Sequence, residues 1–263
     1  MEIRSLTTCS FEDLMTCFLK SFENYFVELP HDFDFYKKRW KAAKVNFKLS
    51  YGMFDKNKLV GFIINGVDTR NGDLIAFNTG TGVLPEYRGQ KISKTIYKYA
   101  LVELAKKEVA KCSLEVIREN TIAISTYKSI GFEIVKNYKS FQGKINLEQT
   151  QSFQLKKLNY ATIDWAKLEI FQPRYSWDNQ TNSIKNKKYQ YFEVWNDILL
   201  ESYFIIDSAT NYLIQFETFI NQKEIWKRLF TAIQSISDFI KINNVDTFYS
   251  DKINLEWLFS PLR

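Results

Sequence analysis

Val83-Leu84-Pro85-Glu86-Tyr87-Arg88-Gly89-Gln90-Lys91-Ile92-Ser93 is the stretch on which the reading of this chain turns. Before it, Leu74 to Val83 reads as a strand interrupted by Gly80 and Gly82, which signal a bulge or a close backbone approach. After it, Ile92, Ile96, Ala100 and Leu104 form one face of a helix, and Lys98, Glu103, Lys106 and Lys107 form the other. Strand and helix therefore meet at a basic turn, Arg88-Gly89-Gln90. The first N–H groups of a helix lack intrahelical acceptors, and the helix dipole adds partial positive charge there. A phosphate satisfies both. Gly89 lets the backbone approach closely, and Arg88 and Lys91 bring cations. The expectation is an anion cradle suited to a pyrophosphate.

A second block follows, Asn120-x-x-Ala123-x-x-x-Tyr127-x-x-x-Gly131-Phe132. It reads as a helix from Thr121 to Ile130, with Asn120 as N-cap and Gly131 as the residue past its end. In this order and context the two blocks resemble the two signatures of the GNAT N-acetyltransferase superfamily. The first signature is Val-x-Pro-x-x-Arg followed by Gly-x-Gly-x-Gly/Ala. Val83, Pro85, Arg88 and Gly89 match it. Lys91 stands where the second glycine is usual and Ser93 where Gly or Ala is. If the position of Lys91 needs positive φ, the lysine costs backbone freedom while adding a cation.

The resemblance implies an α+β fold of three layers, with a mixed, mostly antiparallel sheet flanked by helices. It implies acetyl-CoA as co-substrate. Backbone groups of Thr81 to Leu84, Val83 among them, would pair with pantetheine, and Arg88, Gly89, Gln90, Lys91, Ile92, Ser93 and Lys94 would surround the pyrophosphate. Asn120 would touch pantetheine besides capping its helix. By the same resemblance an amine attacks the thioester directly, and Tyr127 protonates the departing thiolate. A phenol suits that role because it remains protonated at neutral pH. The competing reading of Tyr127 is a core aromatic, since it shares a helix face with Ala123 and Ile130. Phe77-Asn78-Thr79-Gly80-Thr81-Gly82 contains no carboxylate to serve as base. Glu115, Glu28 and His31 are the alternatives, and none is singled out. Glu28, Asp32 and Asp34 would border the acceptor pocket, where they either attract a cationic amine or form a solvated turn.

Composition narrows the remaining classes. The chain has 263 residues and a net charge of +6, but its lysines are scattered, so nucleic acid is not an expected partner. Three cysteines and one histidine cannot build a Cys/His zinc site, and no metal is expected. No apolar run has membrane-spanning length, and Met1-Glu2-Ile3-Arg4 does not open a signal peptide, so a cytoplasmic protein is expected. The expected acceptor is a small-molecule or peptide amine. The alternative is an idle acyl-CoA-binding module whose loop is weakened by Lys91 and Ser93.

Taken in order, Ile3 to Leu6 reads as a strand, and helices follow Ser10 and run from Phe33 to Ala43. Leu49 to Phe54 and Leu59 to Val67 read as a hairpin. Ser113 to Ile117 and Phe132 to Lys144 complete a first domain, residues 1–146. The second domain, 147–263, begins with a polar, aromatic loop across Phe171 to Lys188. Strands then fall at Tyr189–Trp195, Leu199–Ile206 and Tyr212–Phe219. A helix carries Ile225, Leu229, Ile233, Ile236 and Ile240, a strand spans Val245–Tyr249, and a short helix spans Leu255–Phe259. This order repeats the core of the first domain without its first helices, so it reads as a degenerate copy or else an unrelated α+β cap. Phe219 to Lys223 lacks an Arg-Gly-x-Gly turn, so this half is expected to bind no coenzyme. Its aromatic side chains need burial against the first domain or in a homodimer.

Overall fold

The computed structural model describes residues 1–148, 152–249 and 260–261. They form two compact units, Met1–Glu133 and Ile134–Arg263. In the first unit, β1 (Glu2–Ser5) precedes helices α1 (Phe11–Ser21) and α2 (Phe33–Ala42). Strands β2 (Tyr51–Asp55), β3 (Lys58–Arg70) and β4 (Asp73–Val83) follow, then α3 (Ile92–Ala105), β5 (Lys111–Leu114) and α4 (Thr121–Lys128). Both early helices start as their sequences demand. The Ser10 hydroxyl accepts from the Asp13 N–H, and the Asp32 carboxylate accepts from the Asp34 N–H. Leu14, Met15 and Phe18 of α1 are buried with Tyr36 and Trp40 of α2 and Phe62 and Ile64 of β3. Ile92, Ile96 and Ala100 of α3 join the same core.

The sheet order is β1-β2-β3-β4-β5. The first four strands are antiparallel, and β4 and β5 run parallel, joined through α3.

The second unit contains β6 (Tyr138–Lys144), β7 (Gln154–Leu158), α5 (Thr181–Ile184), β8 (Gln190–Asn196), β9 (Leu199–Asp207) and β10 (Tyr212–Thr218). It ends with α6 (Lys223–Ile236), β11 (Phe239–Asp246) and β12 (Ser260–Pro261). Its sheet runs β12-β6-β11-β10-β9-β8-β7. Strands β7 to β10 are antiparallel neighbours, β10 and β11 are parallel, and α6 joins that pair. This repeats the order and sense of β1 to β5, with α6 in the place of α3. The second half is thus a topological copy of the first. Period-two alternation splits its sheet between two cores. Phe204 and Ile206 pack with Trp226, Leu229 and Ile233 of α6. Tyr203 and Ile205 pack with Leu168 and with Phe171 and Tyr175, the last two from the segment read as a polar loop. The 3₁₀ helix Ala166–Arg174 runs into that segment, which continues through a 3₁₀ turn, Trp177–Asn179, and α5, so its start covers the sheet rather than forming a surface loop.

Boundaries differ from the sequence reading at several places, among them β5, which spans Lys111–Leu114 rather than Ser113 to Ile117. Phe132 to Lys144 is not one strand: only β6 is extended, and it pairs with β11 of the second sheet, which moves the division from residue 146 to residue 133. The choice of partner is non-local and leaves no mark in the strand itself. Ile240 belongs to β11, not to α6, because Ser237 turns extended (φ −151°) and its N–H closes the helix on the Ile233 carbonyl. The spacing Ile236 to Ile240 fits a helix face, while Ile240 and Ile242 equally fit the buried face of a strand. The strand expected at Val245–Tyr249 is the end of β11 followed by a 3₁₀ turn, Thr247–Tyr249. The short helix read at Leu255–Phe259 lies outside the described residues.

Candidate active site

The site begins where β4 outlasts its neighbour. β4 pairs with β3 along its length to Val83, but it pairs with β5 only from Ile75 to Asn78. Beyond Asn78 the two parallel strands part, and the edge of β4 through Thr81 and Val83 has no β5 partner. The register shift between Ile64 and Asn65 places Ile64 opposite Gly80 and Asn65 opposite Asn78, so Thr79 is the extra residue of a bulge. Gly82 then admits α1. A Cβ there would lie 2.5 Å from the Phe62 ring and 2.7 Å from the Ser21 Cβ.

The basic turn is left-handed at two of its residues. Gly89 has φ +81° with open space around its absent Cβ, and Lys91 has φ +58°. Lys91, where the signature has glycine, therefore does occupy the left-handed region. It is the N-cap of α3, and no side chain caps that helix. Among the described residues the backbone N–H groups from Gly89 to Lys94 are not spent on backbone acceptors. Gln90 is exposed, Ile92 is buried in the core beneath, and Ser93 and Lys94 are half-buried in the first turn. Leu84 is buried as well, and its N–H is spent on the Val60 carbonyl at 2.9 Å, so the backbone edge without a partner is that of Thr81 and Val83.

Arg88 makes contacts that the sequence did not indicate. Its Nη2 donates to the Ser21 carbonyl at 3.0 Å and its Nε approaches the Val83 carbonyl at 3.4 Å. The guanidinium braces the turn against α1 and β4.

Asn120 caps α4, its Oδ1 accepting from the Ala123 N–H at 3.1 Å, and its amide donates to the Tyr25 hydroxyl at 3.4 Å. Tyr127, on α4, is half-buried, with ring contacts to Tyr97 (5.6 Å) and Phe132 (6.0 Å). Its hydroxyl approaches those of Thr81 and Tyr97, and burial raises its pKa above the ordinary phenol value. Tyr127 lies near Thr81, on the part of β4 that has no β5 partner. Phe132 packs there too, beside Tyr97 at 5.7 Å, directly after Gly131 at φ +100°.

The candidate bases do not converge on this cluster. Glu28 and His31 are exposed in the loop between α1 and α2, and Glu115 is exposed one residue past β5. Of the nearby acids, Asp32 caps α2 and Asp34 pairs with Lys37 at 3.3 Å. Sequence reasoning missed Tyr97, Asn78, Tyr25 and Ser21. Tyr97 was detectable: it lies three residues before Ala100 and seven before Leu104, on the buried face of α3. Among the described residues no group of three His, Cys, Asp or Glu side chains is arranged to hold a metal, and no helix is long and apolar enough to cross a membrane.

The Acetyltransferase (GNAT) family model matches residues 11–132. The spermidine N(1)-acetyltransferase of Thermoplasma acidophilum is 31% identical over 86 residues, which are 33% of this chain and 51% of that protein. The chain therefore spans about half the length of that relative. The [ribosomal protein bS18]-alanine N-acetyltransferase of Escherichia coli K12 is 30% identical over 111 residues, 41% of this chain and 72% of that protein. Among solved structures, a Pyrococcus horikoshii protein named as an acetyltransferase aligns over 99% of this chain and 85% of its own, with a TM-score of 0.61 at 14% identity. That likeness speaks to the fold alone, and it extends over both halves.

Proposed function

Since this chain belongs to the GNAT acetyltransferase family, we propose that it transfers an acetyl group from acetyl-CoA to a primary amine, using its first unit. One observation carries the coenzyme assignment: an uncapped helix start preceded by two left-handed residues, Gly89 and Lys91. That backbone turns successive N–H groups toward one point, which fits a pyrophosphate. Gln90, Ile92, Ser93 and Lys94 contribute N–H groups, and Lys91 a cation. The edge of β4 at Thr81 and Val83 offers amide groups to pantetheine, and Asn120 would touch it from the start of α4. Acetyl-CoA, when bound, supplies the thioester whose carbonyl an amine attacks.

The protein's own part in the chemistry falls to Tyr127. Its raised pKa keeps the hydroxyl protonated at neutral pH, so it can donate to negative charge developing on the leaving group. Two curated relatives are named for amine acceptors, one a polyamine and one a protein alanine, which supports an amine acceptor of small-molecule or peptide type. Release of free thiol from acetyl-CoA, followed across a panel of polyamines and peptides with free amino termini, tests the reading. Acceptor-dependent release is the expected result. Coenzyme binding without release for any amine would turn the assignment to an idle acyl-CoA-binding module.

A further inference from the structure

We propose that the second half keeps a coenzyme cleft filled by its own chain, with the Tyr175 hydroxyl standing where the proposed function places pantetheine in the first half. The two clefts correspond residue by residue. In β4 the bulge at Thr79 is followed by Gly80, Thr81 and Gly82, opposite Ile64, Ile63 and Phe62 of β3. In β10 the register shift between Leu213 and Gln215 makes Ile214 the extra residue. It is followed by Gln215, Phe216 and Glu217, opposite Ile205, Phe204 and Tyr203 of β9. Phe216 is thus the counterpart of Thr81. Just past the two strands, the N–H groups of Leu84 and Phe219 are spent on the carbonyls of Val60 and Glu201. Thr81 and Phe216 lie three residues earlier, so their backbone groups point to the opposite edge, away from β3 and β9. There the parallel neighbour has already parted, β5 after Asn78 and β11 after Tyr212.

In the second half this edge is taken. The Tyr175 hydroxyl donates to the Phe216 carbonyl at 2.9 Å and accepts from the Phe216 N–H at 3.2 Å. One oxygen therefore gives β10 both bonds that an amide-bearing ligand would give it. Tyr175 is buried and follows directly on the 3₁₀ helix Ala166–Arg174. Side chains also stand where the first half has glycine. Gly80 and Gly82 leave room for α1, with Phe18 and Ser21 nearest to their absent side chains. Their counterparts Gln215 and Glu217 are buried and bonded. The Gln215 amide donates to the Asn179 carbonyl at 2.6 Å, and its Oε1 accepts from the Tyr203 hydroxyl at 3.2 Å. The Glu217 carboxylate accepts from the Arg174 guanidinium and, at 2.8 Å, from the Tyr249 hydroxyl. The crevice that remains, lined by Tyr175, Ile214, Phe216, Ile242 and Tyr249 among others, has room for about one water molecule. Occupancy of the cleft stands on these bonds alone. Only the comparison with pantetheine rests on the coenzyme reading of the first half.

The test is chemical rescue of the full chain, read by thermal melts and by amide hydrogen exchange at Phe216. In Tyr175→Phe the ring stays and the hydroxyl goes. The Phe216 amide should then exchange about tenfold faster, the scale of one hydrogen bond. The Glu217 amide, which faces β9, should keep its rate. Tyr175→Gly opens the cleft, and 4-methylphenol supplies the atoms removed, hydroxyl included. At millimolar concentration it should raise the melting temperature of this variant by a few degrees and restore protection at Phe216. Toluene, which lacks only the hydroxyl, should stabilise less and restore no protection, and neither compound should act on the wild-type chain. Equal rescue by toluene, no rescue of a folded Tyr175→Gly, or an unchanged Phe216 rate in Tyr175→Phe overturns the proposal. If Tyr175→Gly does not fold, Tyr175→Phe decides alone. Coenzyme binding by the wild-type chain is a separate measurement: its absence removes the reading of the first half and leaves the filled cleft of the second standing.

Discussion

The Arg88 guanidinium donates to the backbone carbonyl of Ser21 at 3.0 Å, and so fastens the basic turn to the last turn of α1. The carbonyls at a helix end lack intrahelical partners and carry partial negative charge, so a cation is favoured there. Arg88 therefore sets the position of the basic turn against α1.

Gly89→Asp should abolish binding of acetyl-CoA without unfolding the protein. The position is open, so a side chain meets no clash there, and the left-handed φ of +81° costs an aspartate only about 1 kcal/mol. The new carboxylate would oppose phosphate. Thermal melts with and without coenzyme check this: the expected result is a lost ligand-induced shift on a nearly unchanged apo midpoint.

Tyr127→Phe should lower turnover about a hundredfold to ten-thousandfold, the usual range for a general acid. The ring would keep its contacts with Tyr97 and Phe132. Steady-state kinetics together with calorimetric coenzyme affinity test it. Reduced stability with intact turnover would mark Tyr127 as a packing aromatic.

Gly82→Ala should destabilise the first unit by about 1–3 kcal/mol, the range for overpacked cores. Its methyl would strike the Phe62 ring and the Ser21 Cβ, forcing α1 away from β4 and with it the anchor of Arg88. Denaturant midpoints would show the loss of stability, and weakened coenzyme affinity should accompany it.

Calorimetry should find one coenzyme per chain. At the start of α6, Gln222 is extended (φ −132°) and Glu224 adds negative charge in the first turn. Asn221 is engaged by the Trp226 indole at 3.3 Å, and no residue from Phe219 to Lys223 has positive φ. The second half keeps the parting of parallel strands without the cradle. Two equivalent sites would refute this.

The helices and hairpins of the first unit were legible because their signals are local: Ser10 as a cap, and the spacing of Ile92, Ile96 and Ala100 along one face. The left-handed φ at Lys91 was foreseen only as a condition of the position. The role of Arg88 was not, because its acceptor lies 67 residues away on α1. The hydrogen-bonded chain Asn78–Thr81–Tyr97 was hidden too, since it joins a strand to a helix through side chains that any polar or aromatic position permits. In the second half, the repeat of strand order was visible as a pattern. The end of its helix was not, because isoleucines suit both a helix face and a buried strand.

The pairing of β6 with β11 bears on how such a chain can be divided and inherited. By sequence order, Tyr138–Lys144 follows α4 and belongs to the first copy; by hydrogen bonding it completes the sheet of the second. A cut after Asn146 would release a first half trailing an orphan strand and a second half with a bare edge at β11, each prone to pair with whatever strand it meets. A cut after Glu133 would spare both. The repeat of strand order and the folding unit are thus out of phase by one strand. Exchange of halves between relatives would have to respect the hydrogen-bonded seam rather than the boundary of the repeat.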